Sequence, residues 1–119
     1  MNLKWFSESE FNRCQPSCSS SDCDERALSM LDELRDLCGF PITLNSAYRS
    51  VKYEKKKGRS GTSSHCKGCA FDVRCYDSKY RAMLVCNAFR VGFTRIGIGD
   101  SFIHLDCDSD KLNPCIWLY

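Results

Sequence analysis

The sequence predicts a small α+β domain, a mostly antiparallel sheet with two main helices packed on it. Three observations predict it. Ala27, Met30, Leu31, Leu34, Leu37 and Cys38 recur at helical spacing. Ser78 to Val91 is a second helical stretch, with Tyr80, Leu84 and Ala88 along one face and Met83 beside them. Short segments between and after these helices carry the two-residue alternation of strands. Helices set against hairpin-ordered strands form an α+β pattern.

Residues 1–23 read as an arm. Its aromatics, Trp5, Phe6 and Phe11, are expected to dock on the body, and residues 13–23 are turn-like and rich in Cys and Ser. Asp22 with Glu25 three residues on fits a capping box that opens the first helix, over about 23–38. Gly39 stops it and Pro41 prevents its return. Ile42 to Tyr48 reads as the first strand. Residues 50–64 are polar and rich in Gly and Ser, a long loop with room for one helical turn. Cys69 to Arg74 reads as the second strand. Gly92 ends the second helix, and Phe93–Ile98 and Phe102–Cys107 are strands around Gly97-Ile98-Gly99-Asp100. Residues 108–119, with Trp117 and Tyr119, read as a C-terminal packing tail. No repeat or linker interrupts the chain, so 1–119 reads as a single domain, expected to be a monomer.

Composition narrows the function. At 119 residues, 43% hydrophobic and 27% charged, the chain is ordinary for a globular protein, and a net charge of +2 gives no electrostatic case for nucleic acid. The basic run Lys52 to Arg59 reads as a solvated face. No apolar stretch approaches the roughly 18 residues that span a bilayer, so no membrane insertion is expected. The first residues lack the apolar core of a signal peptide, which predicts synthesis in the cytoplasm and delivery by other means. Ten cysteines, at 14, 18, 23, 38, 66, 69, 75, 86, 107 and 115, favour disulfides in an oxidising compartment. One or two are expected where Cys14, Cys18 and Cys23 cluster. Cys75, Cys86 and Cys107 fall at apolar positions, where a free thiol behaves as a small hydrophobe.

The chain has two histidines, each close to an acid. His65 begins a His-x6-Asp that ends at Asp72, and His104 begins a His-x-Asp that ends at Asp106. In the second strand Phe71, Val73 and Cys75 share one face and Asp72 takes the other. In the last strand Ile103, Leu105 and Cys107 share a face and His104 takes the other. Pairing these strands brings Asp72 and His104 together, and His65 can fold back over them. Three N/O ligands with a fourth position left for water is the pattern of a catalytic zinc. A rival metal reading joins Cys66 and Cys69, a C-x2-C, to Cys14, Cys18 and Cys23. A thioredoxin-like role for Cys66 and Cys69 lacks the strand-then-helix setting it needs.

Asn45-Ser46-Ala47-Tyr48-Arg49-Ser50, Ser63-Ser64-His65 with Gly68 and Ala70-Phe71-Asp72, Gly97-Ile98-Gly99, and Phe102-Ile103-His104-Leu105-Asp106 together resemble the M15 metallopeptidases. These are zinc D-Ala-D-Ala carboxypeptidases and related phage endolysins, whose fold core is shared with the hedgehog signalling domain. The resemblance runs from about residue 24 to 107. It implies one zinc ion held by His65, Asp72 and His104, a peptidoglycan peptide as substrate, Arg49 gripping a carboxylate or carbonyl of that peptide, and Ser63 lining the site. It also implies action at the bacterial cell wall or periplasm after release. Zinc would acidify its bound water and polarise the scissile carbonyl, and an Arg fork matches a carboxylate.

One departure stands out. Many relatives carry an acidic general base three residues before the last histidine, where this chain has Ser101. Asp100 is the candidate base in its place, and Asp106 the candidate partner that orients His104, with a base role also open to it. If neither serves as base, the expectation becomes a zinc-containing binding module without hydrolysis. A third reading is a small disulfide-stapled domain with incidental histidines.

Overall fold

In the computed structural model, which describes residues 2–119, the chain runs α1 (Glu8–Asn12), α2 (Glu25–Cys38), β1 (Leu44–Ser46), α3 (Val51–Lys56), β2 (Ala70–Arg74), α4 (Ser78–Val91), β3 (Arg95–Ile98), β4 (Phe102–Asp106) and β5 (Cys115–Leu118). Short 3-10 turns occupy Ser20–Asp22 and Ser64–Lys67. The architecture is α+β, as expected, with α1 and α3 added to the two main helices.

The arm folds on itself and then docks. Ser7 and Glu10 form a capping box that starts α1, and α1 buries Phe11. The Lys4 and Trp5 amides both donate to Asp32, and the Arg35 guanidinium lies 4.0 Å from the Trp5 ring centroid. Helix α2 begins two residues later than the Asp22 box predicts. Asp24 is its cap, accepting from the Ala27 amide at 2.9 Å, while Asp22 caps the preceding 3-10 turn. Ala27, Met30, Leu31, Leu34 and Cys38 are buried, whereas Leu37 lies beyond the edge of the apolar stripe and is exposed. Helix α4 has the predicted bounds, is capped by Asp77 and buries Leu84 and Ala88. Tyr80 stays half-exposed against Phe40 instead of joining the core.

The sheet order is β1-β2-β4-β3-β5. All neighbours are antiparallel except β3 and β5, which run parallel. One face supplies Leu44, Phe71, Val73, Ile96, Ile103 and Leu105 to the core with α2 and α4. The strand parity read from sequence therefore holds. The tail is not merely packing: residues 115–118 form the edge strand β5. Ile116 and Leu118 face solvent while Trp117 faces inward, so apolar residues on both sides hid the strand period.

The cysteines differ from expectation. All ten are free thiols, including Cys14, Cys18 and Cys23, of which Cys18 interacts with both others. They pack as small apolar groups between α1 and the chain leaving β1, and Cys86, expected at an apolar position, is exposed.

Gly68 joins the arm to the sheet. It ends the Ser64–Lys67 turn at φ +73° and its carbonyl accepts from the Asp24 amide at 2.9 Å. A Cβ there would lie 2.7 Å from the Asp22 carbonyl oxygen and 2.9 Å from the Cys23 Cα, both backbone atoms. Gly68→Ala is therefore expected to cost more than about 2 kcal/mol, combining left-handed strain with a clash that no rotamer relieves. A denaturant midpoint within error of wild type would show that the arm can withdraw freely.

Candidate metal centre

The register of β2 against β4 sets Asp72 directly opposite His104 on the sheet face away from the core. His65 reaches the same point from the 3-10 turn before β2. Ser63 caps that turn by accepting from the His65 amide, and the His65 carbonyl accepts from the Arg49 amide. The His65 ring is then fixed by its Nδ1, which donates to the Ala47 carbonyl at 2.6 Å. This leaves the lone pair on Nε2, a buried atom without a hydrogen-bond partner, 3.4 Å from Asp72 Oδ1. His104 is held in the opposite sense. Its Nε2 donates to Asp106 Oδ2 at 2.6 Å and its Nδ1 turns to Asp72 Oδ1 at 3.0 Å.

One ligand atom each from His65, Asp72 and His104 lies within 4.8 Å of the other two, the sole such group of His, Cys, Asp or Glu among the described residues. A buried acceptor without a partner costs about 1–3 kcal/mol, and a cation at this point satisfies His65 Nε2 together with the other two atoms. Two neutral imidazoles and a carboxylate suit zinc, and three ligands leave a position open. The Asp72 side chain keeps 13% of its surface exposed, so the site opens to solvent. Cys66, Cys69 and the Cys14–Cys18–Cys23 cluster are not assembled into a rival metal site.

A second layer holds the ligands. Asp106 takes His104 Nε2 on one oxygen, and on the other Arg95 Nε at 2.9 Å and the Asp108 amide at 3.0 Å. Arg49 donates through Nη2 to Asp72 Oδ2 at 2.8 Å and through Nε to Ser46 Oγ at 2.9 Å, keeping Oδ1 toward the imidazoles. Burial would push the Asp72 and Asp106 carboxyls up, but their contacts with the facing imidazoles, His104 first, outweigh it and hold both below the usual range. Burial pulls His104 down, and its bonds to Asp106 and Asp72 overcome this and raise it.

The expected site residues thus separate. His65, Asp72 and His104 meet; Asp106 stands behind His104 with both oxygens engaged by protein donors. Ser63 caps the His65 turn. Asp100 is exposed at the tip of the β3–β4 hairpin, two residues beyond the start of β4. From there to His104 is on the order of 10 Å along the strand, so the hairpin does not aim Asp100 at the ligands.

Two contributors were not anticipated. Glu54 is buried, 3.6 Å from Arg49 Nη1 and 2.6 Å from Arg59 Nη1. Its signal was its being the lone acid within a basic run. Trp117 from β5 lies across Gly97, where a Cβ would come within 2.6 Å of the indole nitrogen, and its ring centroid is 5.3 Å from that of His104. An isolated glycine in a strand was the signal for such a close approach.

The His65 turn is tied to the end of β4 by Asp108, which accepts from Ser64 Oγ at 2.7 Å and Lys67 Nζ at 2.8 Å. Burial raises the Asp108 carboxyl, but the Lys67 and Ser64 bonds and the Asp110 amide bring it down to about 2. A depressed carboxyl stabilises fully above its ordinary value of 3.8 and ceases to do so as pH falls through about 2. The melting-temperature advantage of wild type over Asp108→Asn is therefore expected to be full at about pH 6 and to close between about pH 5 and pH 2. A gap independent of pH would remove ionised Asp108 as the tie. Asp106→Asn is expected to keep the fold and weaken metal binding about 10–100-fold, the usual effect of losing an outer partner of a ligating histidine. Competition titration against a chelator reads this directly, and unchanged affinity would exclude the orienting role.

Among curated proteins, none matches the chain. Compared with protein families, the chain matches Peptidase M15 over residues 4–106, which takes in the arm and every strand except β5. That match spans most of the sequence and includes all three converging residues: the chain belongs to the M15 peptidase family.

Proposed function

We propose that the chain is a zinc-dependent peptidase acting on the peptide part of bacterial peptidoglycan, as a D-Ala-D-Ala carboxypeptidase or an L-Ala-D-Glu endopeptidase. The observation that carries the reading is the convergence of His65 Nε2, Asp72 Oδ1 and His104 Nδ1, with His65 Nε2 otherwise unpartnered. Family membership supports a peptide substrate. All three ligands come from a single chain, which suits a monomer, and a peptidoglycan substrate would be met at the cell wall.

His65, Asp72 and His104 would hold the ion. When bound, zinc supplies a Lewis acid that polarises an amide carbonyl and brings the pKa of water toward neutrality. The chain does the rest by position. Arg49 keeps Asp72 aimed and ionised, and Asp106 keeps His104 aimed with its Nδ1 toward the site. The Arg49 Nη1 group makes only a long 3.6 Å contact with Glu54, so it is the part of the fork left to take a carbonyl or carboxylate of the peptide. Trp117 walls the β5 side and excludes water from His104.

One observation favours a second reading, a zinc-containing binding module without hydrolysis. The nearby carboxylates of Asp72, Asp106 and Glu54 are all engaged by protein partners, and position 101 is serine.

Metal analysis of the purified protein, paired with digestion of purified peptidoglycan read by mass spectrometry, tests both. The expected result is a single zinc per chain and chelator-sensitive release of peptide fragments whose masses name the bond. His104→Ala is expected to lose both, by more than the roughly 10–100-fold that outer partners cost. Zinc without cleavage would replace the peptidase with the binding module; cleavage by a metal-free His104→Ala protein would remove the site from the reaction.

A further inference from the structure

Two thiols face each other at the base of the strands that carry Asp72 and His104. The β2–β4 register places Ala70 opposite Asp106, and one step further Cys69 lies opposite Cys107, whose amide donates to the Cys69 carbonyl at 3.3 Å. Opposed residues of this hydrogen-bonded kind have Cα atoms about 5.5 Å apart, inside the roughly 4.4–6.8 Å that a disulfide spans. Opposed residues also point to the same face of a sheet, and the Cys107 thiol turns to the Cys69 carbonyl at 3.8 Å.

Their environments differ. Cys69 is buried with its Sγ toward the Ser64 carbonyl at 3.5 Å. Cys107 is half-buried and lines a surface cleft with Arg26, Lys67 and Asp108, a cleft whose wall Cys69 also reaches. Cys107 is thus the more accessible of two thiols on one cleft. The Cys14–Cys18–Cys23 cluster lacks this definition, because Cys18 touches both neighbours and any bond leaves a third thiol over.

We propose that Cys69 and Cys107 are a disulfide-forming modification site that clamps β2 to β4 when the folded protein meets a disulfide oxidant. The Cys107 thiolate attacks one sulfur of the oxidant, the oxidant's S–S bond breaks, and one thiolate leaves. Cys69 then gives up its proton and attacks Cys107 Sγ, expelling the second thiolate. The protein loses two hydrogens and the oxidant is reduced to two thiols. The new bond closes a 38-residue separation that contains both Asp72 and His104. Its redox chemistry does not depend on the peptidase reading.

The test treats the full chain, reduced and metal-free in chelator, with oxidised glutathione, followed by intact mass, a disulfide map by peptide mass spectrometry and thermal melting. The expected map has a Cys69–Cys107 peptide as its main linked product. The melting temperature is expected to rise on the order of 10 °C, to fall back with dithiothreitol, and not to rise in Cys107→Ser. Because Cys107 lies at the edge of the core and is only partly buried, reduced Cys107→Ser is expected to melt close to reduced wild type. A folded, oxidised protein in which Cys69 and Cys107 stay as thiols, stop at mixed disulfides or link to other cysteines overturns the proposal. A linked pair with no change in melting would overturn the clamp.

Discussion

Asp72 is a half-buried carboxylate that burial pushes toward its neutral form, and the arrangement around it keeps it charged. Arg49 takes one oxygen; the other faces two imidazoles. Each partner of Asp72 is fixed elsewhere: Arg49 by Ser46, His65 by the Ala47 carbonyl, His104 by Asp106. The consequence is a preorganised set of lone pairs. Backbone and carboxylate acceptors hold the outer nitrogens of both rings, which decides the tautomers and points the inner nitrogens at one another. A cation relieves that convergence, whereas water or protons do so only in part.

The fold serves this point by keeping its two sheet faces chemically distinct. The core face is continuous from β1 to β3 and packs on α2 and α4, so β2 and β4 cannot slip by one residue without exposing Phe71, Val73, Ile103 and Leu105. The same slip would separate Asp72 from His104. Core packing therefore enforces the ligand register. The His65 turn, which belongs to no strand, needs its own ties. Asp108 supplies one from the end of β4, and the close contact of Gly68 with residues 22–24 supplies the other.

β5 lies beyond the family-matched segment yet touches the site. By running parallel to β3 it carries Trp117 over the gap at Gly97 and onto His104, with the Arg95 guanidinium 5.1 Å from the indole centroid. The wall of the site is thus built by an element whose sequence resembles a tail.

The sequence by itself determined the α+β class, the two main helices, and the inward and outward faces of β2 and β4, because these follow from local periodicity; that Asp72 meets His104 needed the strands to pair. The motifs around Arg49, His65 and His104 likewise made the family legible. What only the tertiary structure decided are contacts between residues far apart in the chain. Arg49 lies on Asp72, both oxygens of Asp106 are engaged, Asp100 sits at a hairpin tip, and Asp108 clamps the His65 turn. β5 escaped detection because its pairing partner lies some twenty residues away and its apolar residues face both sides. The cysteine cluster misled for the same reason: spacing along the chain says which thiols are near in sequence, while cross-strand register decides that Cys69 meets Cys107.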